Sequence, residues 1–576
     1  MLGCFIREVS GPDQDLDAGV SHFTVRLPRS GNALRVELQR LSAGGAHRLQ
    51  GWVEIREAPE SDNDSWRELG LRELGEVLGA ELAALSGESN EEFSGQLLAS
   101  RDGLADIALA RPAELPREVS QPAADYLDSE QALIAGHPRH PSPKWRSGDL
   151  REWRRYSPET RPSFPMQWLA VPDELVLDYA EGFDQHAKTG ELLADLALPT
   201  GHRALPVHPW QYRLLLEGEA GPALTEALSS GALRYLGTGG ADLFPTASVR
   251  TLYQPESDVF LKTSLNVRIT NCLRKNAEYE LAGAVELTDF LAPSFAQISA
   301  RFPRFSVLPE PAARSVRLPD SLADDRSRHA LLEGVGVIVR NGVQSTLLPG
   351  ERLHLAGSLA AAEPDPSGTQ TRLADLAVMA GSRSTADWAR QWWQGYLRHL
   401  VPPVLALWAE HGIVLEPHLQ NVLVVLGNDQ LPAGVVLRDM EGTKLVTGRG
   451  PGTDQGLSAA VAKSAFYDES RAWNRVAYCL FVNNLVEVAG ALADLAQANG
   501  LPGNGFETQL WHDAYELLSE IAPELGNPAE IKAVLAGVAL PAKTNLLLRW
   551  SRQADRLAGY APFPNPFVRN FEQAQS

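Results

Sequence analysis

The chain has 576 residues, with 72 Asp+Glu against 52 Lys+Arg and a formal net charge of −20; 44% of it is hydrophobic, and it carries 13 Trp and 39 Pro. That length and apolar content exclude a disordered chain and suit two to four structural units around a large buried core. The acidic balance argues against nucleic acid or an anionic membrane surface as the main partner.

No apolar stretch reads as long enough to span a bilayer, and Met1–Glu8 lacks a basic leader followed by an apolar core, so a cytoplasmic protein is expected. Cys4, Cys272 and Cys479 are far apart and odd in number. Neither a disulfide framework nor a cysteine metal site is expected from them, and all three are taken as reduced.

Three alternating runs, 22–27, 34–38 and 48–55, are separated by Gly-containing turns, and helical patterns follow from about Trp66 to Ile134. They predict a small sheet with helices beside it, a first unit over residues 1–136. A second unit, 137–375, is richer in Pro and strands. The third, 376–576, is mainly helical, at 388–410, 473–498 and 510–521, with one hairpin inserted near 413–439.

Four segments carry chemistry. The first, Gly136-His137-Pro138-Arg139-His140-Pro141-Ser142-Pro143-Lys144, is barred from a regular helix by its prolines and reads as a stiff loop presenting histidines and cations. No Cys or carboxylate cluster completes a metal set around its histidines, so anion recognition and a plain solvated loop are the alternatives. The second, Leu205-Pro206-Val207-His208-Pro209-Trp210-Gln211, fits a site or a structural turn with a packed Trp equally well.

The third is a basic island in an acidic chain: Arg250, Lys262, Arg268, Arg274 and Lys275 stand against Glu256 and Asp258 alone. Positive charge gathered locally suits a small polyanion. Residues 248–253 and 259–270 alternate like half-buried strands around a turn. Pairing Tyr253 with Val259 would set Arg250 opposite Lys262 and Ser248 opposite Ser264. Two cations face to face repel unless an anion lies between them, although a solvated hairpin face alternates in the same way.

The fourth runs from Glu416-Pro417-His418-Leu419-Gln420-Asn421 into the apolar strand 422–426, then through the turn 427–429 to 435–439 and Asp439-Met440-Glu441. Polar groups thus stand at the mouths of two apolar strands, as in kinase-like enzymes where a loop Asn and a later Asp hold the nucleotide's Mg²⁺. The polar ends of an ordinary hairpin have the same look. Gly237–Gly240 and Gly448–Gly456 lack the Lys of a phosphate-cradling Walker loop and read as turns.

Taken in order, these segments resemble the IucA/IucC family of NRPS-independent siderophore synthetases. The family's marks are a Gly-His-Pro-x-His-Pro loop with a following Lys, a His-Pro-Trp-Gln segment, Ser-x-Arg-Thr with a Lys and then Thr-x-x-x-Arg, and His-x-Gln-Asn. The resemblance covers about residues 130–550. It implies an α+β cupped hand of thumb, fingers and kinase-like helical palm, commonly a homodimer.

It also implies a ligase that uses ATP and Mg²⁺ to adenylate a carboxylate of citrate or a related acid, then joins the acyl group to an amine, hydroxylamine or alcohol. On that basis Ser248, Arg250, Thr251 and Lys262 face the phosphates. Gln420, Asn421 and Asp439 lie near nucleotide and metal, with Glu416 assisting at the metal. His140, Lys144, Thr270, Arg274 and His418 face the substrate acid, and Arg250, Lys262, Arg274 and His418 are the expected catalytic residues. Trp145 and Asp149-Leu150 depart from the family pattern, which bears on acid or acceptor preference. A kinase-like phosphotransferase acting on a small hydroxyl is the alternative.

Overall fold

The structure, a computed structural model, describes residues 1–10, 21–58, 65–113, 119–269, 272–361, 371–382, 384–449, 456–553 and 559–568. The amino-terminal runs form an antiparallel sheet of His22–Arg26, Ala33–Arg40, Arg48–Arg56 and Arg67–Leu69 in sequence order. Helices Leu71–Ser86 and Glu92–Ala110 follow it. Phe23, Val25, Leu34 and Val36 fill its inner face, as their alternation requires. The helical pattern expected from Trp66 starts at Leu71, because Arg67–Leu69 pairs as a fourth strand.

The basic island belongs to an eight-stranded antiparallel sheet. Its spatial order is Val176–Asp178, Ala312–Val316, Val337–Asn341, Val259–Thr263, Thr251–Gln254, Arg234–Pro245, Phe164–Pro172 and His202–Val207. Here the expected register is corrected by one residue: Phe260 lies opposite Tyr253, and Lys262 opposite Thr251. The turn explains the slip. Asp258, at φ 47°, accepts a hydrogen bond from the Tyr253 hydroxyl at 2.8 Å and another from Val343 N, closing the loop earlier than a simple count suggests.

Arg250 is therefore not a cross-strand neighbour of Lys262. It leaves a turn whose preceding residue, Val249, has φ 70°. Nor is the strand half-buried: all five residues of Val259–Thr263 are buried, because the sheet is covered on both sides. The chain then breaks at Ser264, and Leu265–Ile269 pairs with Cys272–Arg274 as a separate ribbon.

Gly237–Gly240, expected as a turn, lies inside the strand Arg234–Pro245. Gly237, with open space around it, holds a φ of 107°, and Gly240 serves close packing. A Cβ on Gly240, at φ 82°, would sit 2.0 Å from the Leu192 carbonyl oxygen.

The hairpin Val422–Leu426/Pro432–Leu437 enters a four-stranded sheet with Phe305–Val307 on one side and Arg352–Leu355 on the other. One sheet thus joins strands from both sides of residue 375. Helices Thr385–His411, Glu469–Ala498 and Gly503–Glu524 pack beside it around Trp392, Trp393, Trp408 and Trp511. Contrary to the sequence expectation, Glu469–Ala498 is long and apolar enough to cross a membrane, but its apolar window is wholly buried in the protein. Its middle, Tyr478–Leu485, is π-helical. Cys4 and Cys479 are buried free thiols.

Candidate functional site

A cavity of about 1390 Å³ opens where the 136–146 loop, the 247–250 turn, the 416–420 loop, the 439–444 segment and the helix around 471–487 converge. One buried acid holds three of these pieces together. Glu130 accepts from Ala247 N at 2.9 Å and from the Arg438 guanidinium at 2.6 Å, while Arg438 also donates to the Gln420 carbonyl at 2.7 Å. The helix carrying Glu130, the 247–250 turn and the His418 loop are fixed as one body.

At one end of the cavity six charged side chains cancel. Lys262 bonds Asp439, reaches Glu441 at 2.6 Å and stands 3.8 Å from Glu310. Arg340 contacts Glu310 at 2.6 Å and Asp439 at 3.3 Å. Arg250 donates to the buried Asn276 side chain and lies 3.4 Å from Glu441. Three cations thus meet three carboxylates.

Burial works to raise the Asp439 pKa, but Lys262, Arg340 and Arg250 hold it well below the usual carboxylate range. Burial alone would likewise lower the Lys262 pKa; Asp439, Glu310 and Glu441 hold it above the usual lysine range. Both groups are ionised at neutral pH. Asp439 has φ 85°, an uncommon backbone for a non-glycine residue and one that marks sites where geometry is imposed by the surroundings.

Arg250, Arg274, Gln420, Asp439, Glu416, His418, His140 and Lys144 all line the cavity. Ser248 Oγ accepts from Thr251 N at 3.1 Å, fixing the turn behind Arg250, and Thr251 is buried in its strand. Asn421 is buried with an amide nitrogen that finds no hydrogen-bond partner. Thr270 lies outside the described residues. Lys144 donates to the Leu133 carbonyl at 2.6 Å and to Glu159, which Arg146 also contacts. Although burial opposes it, these cations bring the Glu159 carboxyl down to about 2. The Lys144 ammonium is thus an ion-paired part of the wall.

His418 Nδ1 accepts from Gln420 N at 3.3 Å. That leaves Nε2–H as the donor of a ring that burial keeps neutral, its pKa below the usual histidine value. Two amides from the π-helical segment hold the loop on either side of it. Asn484 donates to the Pro417 carbonyl at 2.9 Å, and Asn483 accepts from Leu419 N at 3.2 Å. Glu416 pairs with Arg475 at 2.5 Å.

His140 uses the same device as His418, Nδ1 accepting from Ser142 N at 3.2 Å. His208 does so with Trp210 N at 3.1 Å, yet its ring is buried against Tyr156 and Phe164, and burial lowers its pKa to about 3. The His-Pro-Trp-Gln segment is the packed start of the helix Pro209–Glu217, with His208 as its N-cap. Trp145 stacks under the Arg549 guanidinium at 4.1 Å.

Sequence reasoning missed Glu441, Glu310, Arg340 and Arg475. Glu441 carried a signal, an acid two residues after Asp439 at a strand mouth. Glu310 and Arg340 lie far along the chain and meet only through sheet order.

A balanced set of cations and hard carboxylates at the edge of a large cleft has the chemistry that suits an enzyme acting on a polyanion. The IucA / IucC family model matches residues 125–361, and a model described as ferric iron reductase FhuF-like transporter matches residues 390–558. The latter span holds a single cysteine, Cys479, too few for a thiolate-held iron–sulfur cluster.

The chain is 29% identical to the rhizobactin siderophore biosynthesis protein RhbC of Rhizobium meliloti, over 97% of this chain and 94% of that one. It is 29% identical to the L-2,3-diaminopropanoate–citrate ligase of Staphylococcus aureus, over 78% and 75%. In fold it matches the ATP-bound aerobactin synthetase IucA of Klebsiella pneumoniae with a TM-score of 0.82 at 22% identity, covering 99% of this chain and 98% of that one. The petrobactin biosynthesis protein AsbB of Bacillus anthracis matches with a TM-score of 0.75 at 20% identity, over 99% and 94%. Over residues 125–361 the chain carries the IucA / IucC family domain, and over nearly its whole length it is similar to siderophore biosynthesis proteins.

Proposed function

We propose that this enzyme is an ATP-dependent ligase of siderophore biosynthesis. It adenylates a carboxylate of citrate or a related acid, releases pyrophosphate, and passes the acyl group to an amine, hydroxylamine or alcohol. The named activities of its relatives support the acid and the amine: they join citrate to diaminopropanoate, spermidine or a hydroxylysine derivative. The observation that carries the reading is the compensated cluster of Arg250, Lys262 and Arg340 with Asp439, Glu441 and Glu310, in which Arg250, Asp439 and Glu441 line the cavity and the other three stand behind them. An acid and a triphosphate repel one another, so their approach needs fixed cations.

In this reading Arg250 and Lys262 take phosphate oxygens, Ser248 and Thr251 shape the turn that presents them, and Gln420 and Asn421 border the nucleotide. Arg274, His140, Thr270 and the Nε2–H of His418 orient the acid, with Lys144 supporting the wall behind them. The donor set suits Mg²⁺, since Asp439, Glu441 and Glu416 offer hard carboxylate oxygens on the cavity wall. Mg²⁺ held there would supply charge neutralisation of phosphate oxygens.

We also read residues 1–136, 137–375 and 376–576 as thumb, fingers and palm of a cytoplasmic homodimer. The second reading, a phosphotransferase, is favoured by one observation, the strained Asp439 at the end of a hairpin. Incubating the pure protein with ATP, Mg²⁺, a panel of acids and hydroxylamine, followed by mass spectrometry, separates the two. AMP, pyrophosphate and an acid hydroxamate are expected; ADP would replace the ligase by the phosphotransferase.

A further inference from the structure

The cavity has a second end with a different charge balance. Beyond His418 its wall is built from Lys444, Lys463, Arg471, Arg475 and Lys543, with Tyr478 and Tyr560 beside them. Among the described residues three carboxylates line the cavity near these cations: Glu416, taken by Arg475 at 2.5 Å; Glu487, taken by Arg139 at 2.6 Å; and Glu280, which accepts from Ala277 N at 2.8 Å and from the Tyr279 hydroxyl at 3.1 Å. Five cations thus face three carboxylates, and an acceptor carrying only ammonium groups would meet more positive than negative charge.

The inner cations show the same imbalance. Lys444 lies in the strand Lys444–Val446, which pairs with Ile413–Val414 and so places it behind Glu416. Its pKa is lowered by burial and by Arg475, against the opposing pull of Glu416, Glu441 and Glu280. Arg475 keeps a buried Nε with no hydrogen-bond partner, although its other nitrogens reach Glu416 and, at 3.4 Å, the Tyr467 hydroxyl. A guanidinium with one N–H unused, beside a lysine that makes no ion pair among the described residues, has the donors to take one more anion.

Resting on the ligase reading above, we infer that Arg475 and Lys444 bind an anionic group of the acceptor, so the second substrate is an amine that carries its own carboxylate. The position fits a second substrate, because His418 and Glu416 lie between the two ends and the acyl group would be made there.

The test compares acceptors in pairs that differ by one carboxylate: 2,3-diaminopropanoate with 1,2-diaminoethane, ornithine with putrescine, and lysine with cadaverine. With citrate, ATP and Mg²⁺ the structure predicts kcat/KM higher for the carboxylate member by roughly tenfold to a hundredfold, the effect of one charge-assisted contact. Arg475→Gln should shrink that ratio by about tenfold, and Lys444→Gln serves if the first variant does not fold. Both members of a pair share the adenylation step, so their ratio is insensitive to damage there.

Equal kcat/KM within each pair overturns the inference, as does a preference for the decarboxylated members. If the pairs are equal and Arg475→Gln raises the KM for citrate instead, the cations belong to the acid. Citrate-dependent ATP–pyrophosphate exchange without acceptor reports on the ligase reading separately, so the two failures are distinguishable.

Discussion

Lys262→Ala tests the centre of the site. The ammonium contacts Asp439, Glu441 at 2.6 Å and Glu310 at 3.8 Å, and the residue is 3% exposed. Its removal leaves three carboxylates facing only Arg250 and Arg340. Breaking a buried pair on one side costs about 3–5 kcal/mol, a sizeable part of the roughly 5–15 kcal/mol that holds a domain together. The variant should therefore melt earlier.

The lost contact to phosphate is worth about 1.5–3 kcal/mol, or roughly tenfold to a hundredfold in rate. Citrate-dependent ATP–pyrophosphate exchange and calorimetry read the two effects separately. The pH dependence adds a sign. Asp439 and Glu441 have carboxyl pKa values lowered in the folded protein, so their stabilisation is present above the unfolded carboxylate range and lost as pH falls through the folded values. Without Lys262 those values rise, and acid unfolding should begin at a higher pH than in the wild type. Exchange within about twofold of wild type in a folded Lys262→Ala protein would refute the phosphate assignment.

Asp439→Asn should move the Mg²⁺ titration of activity to higher concentration, because an amide oxygen offers less charge to a hard cation than a carboxylate does; an unchanged titration removes Asp439 from the metal site. Arg274→Ala should raise the KM for the acid by roughly tenfold or more while calorimetry shows ATP affinity nearly kept; the reverse pattern would assign Arg274 to phosphate. His418→Ala should lower turnover more than ATP affinity. Because burial keeps His418 neutral, the acid limb of the wild-type pH profile should lie below pH 6.5, and a limb at that value contradicts its role as an Nε2–H donor.

Much of the site could be read from the sequence because its parts are local. The loop after Gly136, Arg250 with Lys262, and His418 with Gln420 each lie in a short segment whose residue types advertise their chemistry. The register of Arg250 could not be read, since one aspartate, Asp258, closes the turn by bonding Tyr253 and the distant Val343. Glu310 and Arg340 could not be read either; sheet order alone sets strand Val337–Asn341 beside Val259–Thr263. The buried helix 469–498 misled in the opposite direction, with composition suited to a bilayer and a protein core as its actual surroundings.

The paired charges also explain how the site keeps its charge. An unpaired buried Lys262 or Asp439 would be driven to its neutral form, and the site would then lack charge when substrate arrived. Pairing each with the other keeps both ionised and positioned. A phosphate entering beside Lys262 gives up water but meets a cation whose desolvation is already met by Asp439 and Glu441. A cation entering beside those carboxylates gains in the same way, so the two ligands are favoured together over either alone. Arg475 with Glu416 repeats the arrangement at the other side of His418. Drawing Glu416 toward a cation weakens its hold on Arg475 and strengthens the claim of any carboxylate beside it. On the ligase reading, acceptor binding should therefore follow occupation of the nucleotide end.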